Sequence, residues 1–404
     1  MKVFKLNQQS ENFVKNCEKI GVTKGGIGIL QEKIEIEFYF IQNLKIAAAN
    51  ILKQDAISVG ADVAVSKETI LGGLNQTSAL LFGTPAQLRR LRQKCICQDF
   101  GLKKLGVLLG EFDTKEASSE FLEGFDAEFS AKTCRVRQIM GVVNVTEDSL
   151  NPASRTSKQE LLKRCEEFIA NGATYIDIGV VSSRPGSVYC GADEEVARVS
   201  EVVGILRQSP LLDEAVFSLD SYCYEALKIA LNAGFGLVND IAASPEAMRA
   251  AAEFDAQYCL MHGFDGVCGG GKSNSNLTNS GEAQELDILG EVSEFFATQL
   301  QKCREFGVKK VVLDVGIGFG KTQPQNLILI KHLSHFCKFK MPLLVGASRK
   351  SVVNFYSPSS VEERLAGTLF LHLKAVENGA NFIRAHDIFE TKQVFDLLKA
   401  YEKI

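Results

Sequence analysis

From residue 135 onwards, short β-rich runs alternate regularly with amphipathic stretches, and this repeat limits most strongly what the chain can fold into. Eight such pairs in about 270 residues are the number that closes a (β/α)8 barrel. An open doubly wound sheet is the main alternative, but it rarely uses eight consecutive regular units. We therefore predict an α/β fold, a (β/α)8 TIM barrel, over residues 135–404. The predicted strands are Ile139–Val145, Tyr175–Gly179, Val216–Leu219, Leu237–Asn239, Tyr258–Met261, Val311–Leu313, Leu343–Val345 and Phe382–Ala385. The predicted helices are Lys158–Ala170, Glu194–Arg207, Tyr224–Ala233, Pro245–Phe254, Asp287–Phe306, Gln325–Phe336, Val361–Asn378 and Lys392–Tyr401.

The segment before the barrel has mixed local patterns. Leu44–Val59 has helical periodicity, and Ala79–Phe82 is a short apolar strand candidate. Thr84 followed by Pro85 is typical of a helix start, with Thr as the N-cap and Pro in the first turn. Seven acidic residues against one lysine lie between Glu111 and Glu128, which favours a domain boundary there. We predict a small α+β accessory domain of unknown role over residues 1–130.

Charge and composition exclude several classes of protein. The 404 residues carry 45 Lys+Arg against 49 Asp+Glu, a net charge of −4, which argues against a nucleic-acid partner. No apolar run reaches the ~18 residues of a membrane span, and the amino terminus lacks the apolar core of a secretory signal. The eleven cysteines include no C-x-x-C pair and predict reduced thiols. We therefore expect a cytoplasmic protein with no membrane partner.

Polar residues follow every one of the eight predicted strands. In a barrel of this kind, the carboxyl ends of the strands and the loops after them form the active site. Asp and Asn also cap helices at such positions, so one of them alone is weak evidence. Eight together are hard to explain as caps. The residues that follow or end the strands include Asn144, Asp148, Asp177, Ser183, Arg184, Asp220, Asn239, His262, Asp314, Ser348, Arg349, Lys350, Arg384 and His386.

The residue types at this rim indicate two kinds of ligand chemistry. Asp220, Asn239 and Asp314 suit a flat heterocycle with N–H donors, because each such charge-assisted hydrogen bond contributes about 1.5–3 kcal/mol. Hydroxyl and cationic groups around the same rim suit a phosphate or diphosphate; they are Ser183, Arg184, Arg349, Lys350, Arg384 and His386. The loops after strands seven and eight of such barrels are a recurrent phosphate site.

A glycine-rich run after the sixth strand, Gly316 to Thr322, superficially resembles an ATP-binding P-loop. That motif requires a glycine where this chain has Val315, and the run does not follow a first strand. We interpret the run as a tight backbone turn beside a planar ligand.

Five segments in order resemble the motifs of the dihydropteroate synthases. They are Ile139–Ser149, Asp177–Gly179 with Ser182–Gly186, Leu313–Thr322, Gly346–Ser351 and Arg384–Asp387. The resemblance covers residues 135–404. It implies a transferase of folate biosynthesis that joins (7,8-dihydropterin-6-yl)methyl diphosphate to 4-aminobenzoate and releases diphosphate.

The resemblance also implies roles for single residues. Asp220, Asn239 and Asp314 would hold the pterin ring, with Lys350 against it. Ser183, Arg384 and His386 would bind the diphosphate. Arg184, Phe319 and Ser348 would line the aminobenzoate side, and Asn144 would be an oxygen ligand of Mg²⁺. The catalytic set would be Lys350, Arg384, His386 and Asp148.

The chain departs from the family pattern in the first two loops. Glu147 stands where the family has proline, and Asp148 is the nearest surviving candidate for a catalytic group in that loop. Val180 and Val181 stand where a Gly-Glu pair is usual. Ala47–Gly106 resembles the extra amino-terminal region of longer members, and the resemblance implies a homodimer.

Two other functions are compatible with a pterin-binding barrel. A methyltetrahydrofolate:corrinoid methyltransferase also holds a pterin through Asp and Asn, but it needs no cationic diphosphate clamp. A non-catalytic pterin-binding protein would gain little from Arg384 and His386.

Overall fold

The computed structural model describes residues 10–71, 75–113, 123–134, 136–145, 155–181, 189–263 and 286–402. The chain divides into two compact units: Met1–Ser118 with Lys399–Ile404, and Ser119–Leu398. Asp148, Ser183 and Arg184, which were predicted as site residues, lie outside the described residues.

The amino-terminal unit has a three-stranded antiparallel sheet with strand order β1-β3-β2 and helices against one face. Its strands are β1 (Glu37–Lys45), β2 (Asp62–Val65) and β3 (Gln76–Gly83). Its helices are α1 (Ser10–Lys19), α2 (Lys24–Gln31), α3 (Ile46–Val59), α4 (Glu68–Leu71), α5 (Pro85–Ile96) and α6 (Leu102–Glu111). Leu52, Leu81 and Leu91 are completely buried between sheet and helices. The unit is therefore α+β, as predicted.

The local sequence signals named for this unit were confirmed, but several of its elements were not predicted. The side chain of Thr84 accepts a hydrogen bond from the backbone N–H of Gln87, and the side chain of Gln87 accepts one from the backbone N–H of Thr84, so α5 begins with a capping box. The strand candidate Ala79–Phe82 lies inside β3. The predicted helix Leu44–Val59 is α3, which begins at Ile46, and Leu44 belongs to β1. Strand β1 itself was not predicted. Its residues Phe38 and Phe40 are exposed, so the polar and apolar faces do not alternate clearly.

The second unit contains a closed barrel of eight parallel strands, which confirms the predicted fold. The strands neighbour one another in the order β10-β11-β4-β5-β6-β7-β8-β9, and β9 closes on β10. Their bounds are β4 (Gln138–Asn144), β5 (Tyr175–Gly179), β6 (Val216–Asp220), β7 (Leu237–Asp240), β8 (Gln257–Met261), β9 (Lys310–Asp314), β10 (Leu343–Val345) and β11 (Phe382–Ala385).

Helices follow the strands along the chain. They are α7 (Ala127–Thr133) before the first barrel strand, then α8 (Arg155–Ala170), α9 (Ala192–Leu206), α10 (Leu211–Glu214), α11 (Tyr224–Asn232), α12 (Pro245–Glu253), α13 (Asp287–Phe306), α14 (Gln323–Lys331), α15 (Ser351–Tyr356), α16 (Leu365–Glu377) and α17 (Ile388–Glu402). Two predicted helices were too long. Gln325–Phe336 is α14 followed by a 3-10 turn at Leu333–Phe339, and Val361–Asn378 is a 3-10 turn at Glu362–Arg364 followed by α16.

The barrel interior is packed at its amino-terminal end and polar at the other. The apolar layer consists of Met140, Tyr175, Leu237, Cys259, Val312, Leu344 and Phe382. Tyr175 and Phe382 contact edge to face with ring centroids 5.0 Å apart. Side chains two residues further along a strand point into the same interior. This period places Asp177 after Tyr175, Asn239 after Leu237, Asp314 after Val312 and Arg384 after Phe382.

None of the helices in the described ranges is long and apolar enough to cross a bilayer. The ten cysteines within those ranges are free thiols.

Candidate active site

Four polar side chains meet in the barrel mouth around one guanidinium group. Asp177 is completely buried, and Asp220, Asn239 and Asp314 are 8%, 4% and 5% exposed. The Arg384 side chain enters from β11 and is 20% exposed. The structure therefore brings together the three residues predicted to hold a pterin and one predicted to bind its diphosphate.

Arg384 is held by two carboxylates. Its Nε donates to Asp177 Oδ2 at 2.7 Å, and its Nη2 donates to Asp220 Oδ2 at 3.2 Å. Burial alone would lower the pKa of Arg384, but these carboxylates more than offset it and raise the pKa above its ordinary value. Arg384 is therefore a permanent cation at the mouth.

Asp314 ends β9 beneath the glycine-rich loop. Its Oδ1 accepts the backbone N–H of Gly316 at 2.8 Å. Burial raises the pKa of this carboxyl group, while the hydrogen bond and the nearby Lys350 oppose the rise. The carboxylate therefore gains from a ligand that brings hydrogen-bond donors to it.

Lys350 lies between the carboxylates and an aromatic ring. Its ammonium nitrogen is 4.3 Å from the ring centroid of Phe319, within the range of a cation–π contact. Burial lowers the pKa of Lys350 to about 8, with Arg384 lowering it further and Asp314 and Asp220 opposing. Lys350 and Phe319, predicted on the two substrate sides, thus form one wall of the mouth.

Lys321 ties the loop after β9 to the end of β8. Its Nζ donates to the backbone oxygens of His262 at 2.9 Å and Phe319 at 3.1 Å. Burial lowers its pKa to about 7, against the opposing charge of Asp314. Its ammonium group fixes the loop that carries Phe319.

The loops after β10 and β11 are joined by two contacts. Ser348 Oγ lies 3.0 Å from His386 Nδ1 and accepts the backbone N–H of the same residue at 3.2 Å. Arg349 forms a two-point ion pair with Asp387, at 3.0 and 2.5 Å. Burial, with Arg384 and Arg349, lowers the pKa of His386 to about 4, so the ligand-free imidazole is neutral at pH 7. Ser348, predicted on the aminobenzoate side, contacts His386.

Asn144 ends β4 and is exposed at the rim. No cluster of three His, Cys, Asp or Glu suited to a metal occurs among the residues that the structure describes. An exposed amide oxygen is one ligand that Mg²⁺ accepts, but it does not hold the ion without further oxygens.

Sequence reasoning missed two contacts that organise this site. Asp177 was placed at the rim without a role, although the two-residue period from Tyr175 predicts that it faces the interior. The Ser348 to His386 contact joins two loops that are far apart in the chain, and no local pattern predicts it. Cys259 is completely buried, and burial raises its pKa well above the ordinary value, so it is no nucleophile.

Comparison with known proteins decides the family. The family model described as "Pterin binding enzyme" matches residues 140–386, which include every barrel strand after the start of β4. The chain belongs to the pterin-binding enzyme family. This membership agrees with a site built from buried carboxylates and an amide.

Two relatives of this family member differ in how much of the chain they match. The bifunctional dihydropteroate synthase/dihydropteroate reductase of Helicobacter pylori is 35% identical over 396 residues, 96% of this chain and 95% of the relative. The dihydropteroate synthase of Escherichia coli K12 is 34% identical over 268 residues, 65% of this chain and 90% of the relative. A solved structure of Yersinia pestis dihydropteroate synthase in a sulfonamide drug complex is 32% identical, with a TM-score of 0.58, and covers 67% of this chain and 96% of that one.

Proposed function

We infer that the chain is a dihydropteroate synthase, which joins (7,8-dihydropterin-6-yl)methyl diphosphate to 4-aminobenzoate. The observation that carries this is the meeting of Asp220, Asn239 and Asp314 with the cations Lys350 and Arg384 in one barrel mouth. Relatives that match the barrel carry the same activity in their names. A transferase of folate biosynthesis is thus the function that sequence, site and relatives support together.

The reaction needs stabilisation of a leaving anion more than it needs a nucleophile. The bond between the pterin methylene carbon and a diphosphate oxygen breaks, and its electron pair leaves with the diphosphate. The nitrogen of 4-aminobenzoate forms the new bond and then loses a proton. In this proposal Arg384 supplies a cationic donor and His386 an N–H donor to the developing charge. Binding both substrates side by side supplies much of the rest.

The aminobenzoate would lie along the wall formed by Lys350 and Phe319. The apolar ring of Phe319 offers a stacking surface, and the ammonium group of Lys350 above it offers a charge. We also propose that Arg184 lines the aminobenzoate side, that Ser183 binds the diphosphate and that Asp148 supplies a catalytic group in the loop after β4. These three residues lie outside the described residues.

Magnesium would enter with the diphosphate. Mg²⁺ usually keeps several waters and binds through one or two protein oxygens plus substrate phosphates. The exposed amide of Asn144 fits one such oxygen. The ion would supply charge neutralisation on the leaving diphosphate, and Asn144 would orient it.

The decisive experiment incubates the full chain with the pterin diphosphate, 4-aminobenzoate and Mg²⁺ and follows 7,8-dihydropteroate by chromatography. Product should form, and a sulfonamide should compete with 4-aminobenzoate. Pterin binding without product would instead favour the non-catalytic binding protein.

Arg384→Ala tests the leaving-group argument. We expect turnover to fall about 10²–10³-fold, as for loss of one preorganised donor, and affinity for the pterin ring alone to change much less. Removing Mg²⁺ should likewise lower turnover much more than it lowers affinity for the pterin ring. Arg249→Ala is a matched control, because Arg249 lies over the Tyr224 ring, away from the mouth. Turnover that survives both changes would contradict the leaving-group account.

A second activity, reduction of dihydropteroate, is favoured by one observation. The Helicobacter pylori relative named for both activities matches nearly the whole chain, whereas the single-activity Escherichia coli synthase matches 65% of it. We propose that this chain also reduces 7,8-dihydropteroate. A hydride and a proton would add across the remaining carbon–nitrogen double bond of the dihydropterin ring, with a reduced nicotinamide or flavin as donor.

This second activity has its own assay. The full chain is incubated without oxygen with 7,8-dihydropteroate and NADH or NADPH, with and without added flavin. A product heavier by two hydrogens, with loss of reduced donor, is expected. If no donor supports reduction while the same preparation makes dihydropteroate, the chain has only the synthase activity.

We further propose that the chain forms a homodimer in the cytoplasm. The free cysteines of the described ranges support a reducing compartment. Light scattering should give twice the mass of one chain, and a monomer mass would contradict the dimer.

A further inference from the structure

Asp177 is a buried carboxylate that links its own strand, β5, to three other strands. Its Oδ1 accepts the hydroxyl of Ser218 on β6 at 2.6 Å. Its Oδ2 accepts Asn239 Nδ2 on β7 at 3.0 Å and Arg384 Nε on β11 at 2.7 Å. The residue has no solvent exposure, so it is out of reach of a ligand in the open mouth. A buried charge of this kind is held only where several donors satisfy it.

Two carboxylates hold Arg384, and they differ in whether they can also bind a ligand. Asp220 is 8% exposed at the mouth and is a residue proposed to hold the pterin. A pterin bound to Asp220 would compete with Arg384, whose contact with Asp220 is 3.2 Å long. The shorter contact with Asp177 does not depend on the ligand, and it keeps the guanidinium in place.

Asp177 also fixes which end of the Asn239 amide faces the ligand. Because Asn239 Nδ2 donates to Asp177, the amide oxygen is the atom left to accept a hydrogen bond. The oxygen of Asn239 can therefore accept a hydrogen bond from an N–H of the ring, while the second hydrogen of Nδ2 can still be donated.

We propose that Asp177 is a positioning residue that holds Arg384 for the diphosphate and Asn239 for the ring, and so prepares both halves of the substrate site before binding. The inference rests on the proposed synthase function. Asp177 touches neither substrate, and its effect passes through the two side chains that do.

A double-mutant cycle between Asp177→Ala and Arg384→Ala separates positioning from a structural role. If Asp177 acts through Arg384, each single change should lower turnover about 10²-fold, and the double variant should be no more than about threefold worse than Arg384→Ala alone. Independent effects would multiply to about 10⁴-fold. Such multiplication would overturn the proposal.

Asp177→Asn gives a second test, which does not require the alanine variant to fold. The amide oxygen can still accept from Arg384 and Asn239, and the new N–H₂ can donate to Ser218 Oγ, whose hydroxyl turns around. This change removes the charge and keeps the shape. We expect the ratio of affinities for the pterin diphosphate and the hydroxymethyl pterin to fall about 5–10-fold in calorimetry, because Arg384 is the residue proposed to bind the diphosphate. An unchanged ratio would overturn the proposal.

Asp240→Asn is the matched control. Asp240 is equally buried and also ends a strand, but it accepts the backbone N–H groups of Ala242 and Ser244 and the hydroxyl of Tyr258. Asp240→Asn should lower the melting temperature and leave the ratio of the two pterin affinities unchanged. Its effect on turnover should combine independently with that of Arg384→Ala. Non-additivity equal to that of Asp177 would mean that any buried carboxylate gives this signature. A chain that makes no dihydropteroate would instead refute the proposed function, and that result is distinct from additivity in an active enzyme.

Discussion

At the scale of the residue, burial pushes the charged groups of the mouth toward neutrality until a partner opposes it. The pKa of Lys350 is lowered and that of Asp314 is raised, in both cases chiefly by burial. The pKa of Arg384 is raised because Asp177 and Asp220 outweigh the same burial. An entering ligand with N–H donors and an anionic tail therefore meets groups that gain from it.

The charge on Lys350 predicts how activity depends on pH. Its pKa of about 8 means that the ammonium is mostly protonated at pH 7 and mostly neutral by pH 9. We expect kcat/KM to fall above pH 8, approaching a tenfold loss per pH unit. Lys350→Arg should lower the rate but remove this alkaline fall, because guanidinium stays charged. A fall that persists in Lys350→Arg would assign it to another group, of which Lys321 is the nearest candidate.

The carboxylate of Asp314 predicts a loss of pterin affinity when its charge is removed. Asp314→Asn keeps the shape but exchanges charge-assisted hydrogen bonds for neutral ones, which should cost about 1.5–3 kcal/mol, or roughly 10–150-fold in Kd. Asp220→Asn should act in the same direction. Calorimetry with a pterin measures this, and the exposed Asp213→Asn serves as control. Wild-type affinity in both site variants would remove these residues from the ring site.

At the scale of the element, the glycine-rich loop after β9 depends on a close contact between its backbone and the backbone at the end of β8. Gly316 has φ +69°, and a Cβ there would lie 2.0 Å from the backbone oxygen of His262. Only glycine permits this contact between the loop and the end of β8. The loop then turns back, and Lys321 fastens it to the same oxygen.

Gly316→Ala should therefore displace the loop that carries Phe319. We expect a KM for 4-aminobenzoate at least about fivefold higher, together with the loss of about 1–2 kcal/mol that a left-handed non-glycine residue costs. Gly307→Ala is the matched control, since Gly307 has φ +81° and no atom within 4 Å of its added Cβ. It should lose stability without a change in KM. An equal change of KM in both variants would show that strain alone is responsible.

Much of this element-level structure could be predicted because the barrel strands are short, apolar and followed by polar residues. The bounds of Tyr175–Gly179, Leu343–Val345 and Phe382–Ala385 were predicted without error. Contacts across the barrel could not be predicted. Whether Arg384 meets Asp177 depends on the tilt and closure of the whole sheet, which no window of sequence contains.

At the scale of the whole molecule, the two units differ in what their relatives share. The barrel unit corresponds to relatives named as synthases. The match to the Escherichia coli synthase covers 90% of that relative's length. The amino-terminal unit has its own buried core, which includes Leu52, Leu81 and Leu91, and it is matched by the relative named for two activities. A separate core is what lets a domain fold and act on its own.

This division predicts which activity is lost when the first unit is removed. A chain that begins at residue 119 keeps every barrel strand and every described group of the mouth. We expect its synthase kcat/KM to stay within about threefold of the full chain, because the Escherichia coli synthase is matched over 90% of its own length by only 65% of this chain. We expect the truncated chain not to carry out the proposed reduction. Both rates should be measured on one preparation whose circular dichroism shows cooperative melting. Loss of synthase activity in a folded truncated chain would make the first unit part of the synthase site. Retained reduction would place that chemistry in the barrel unit.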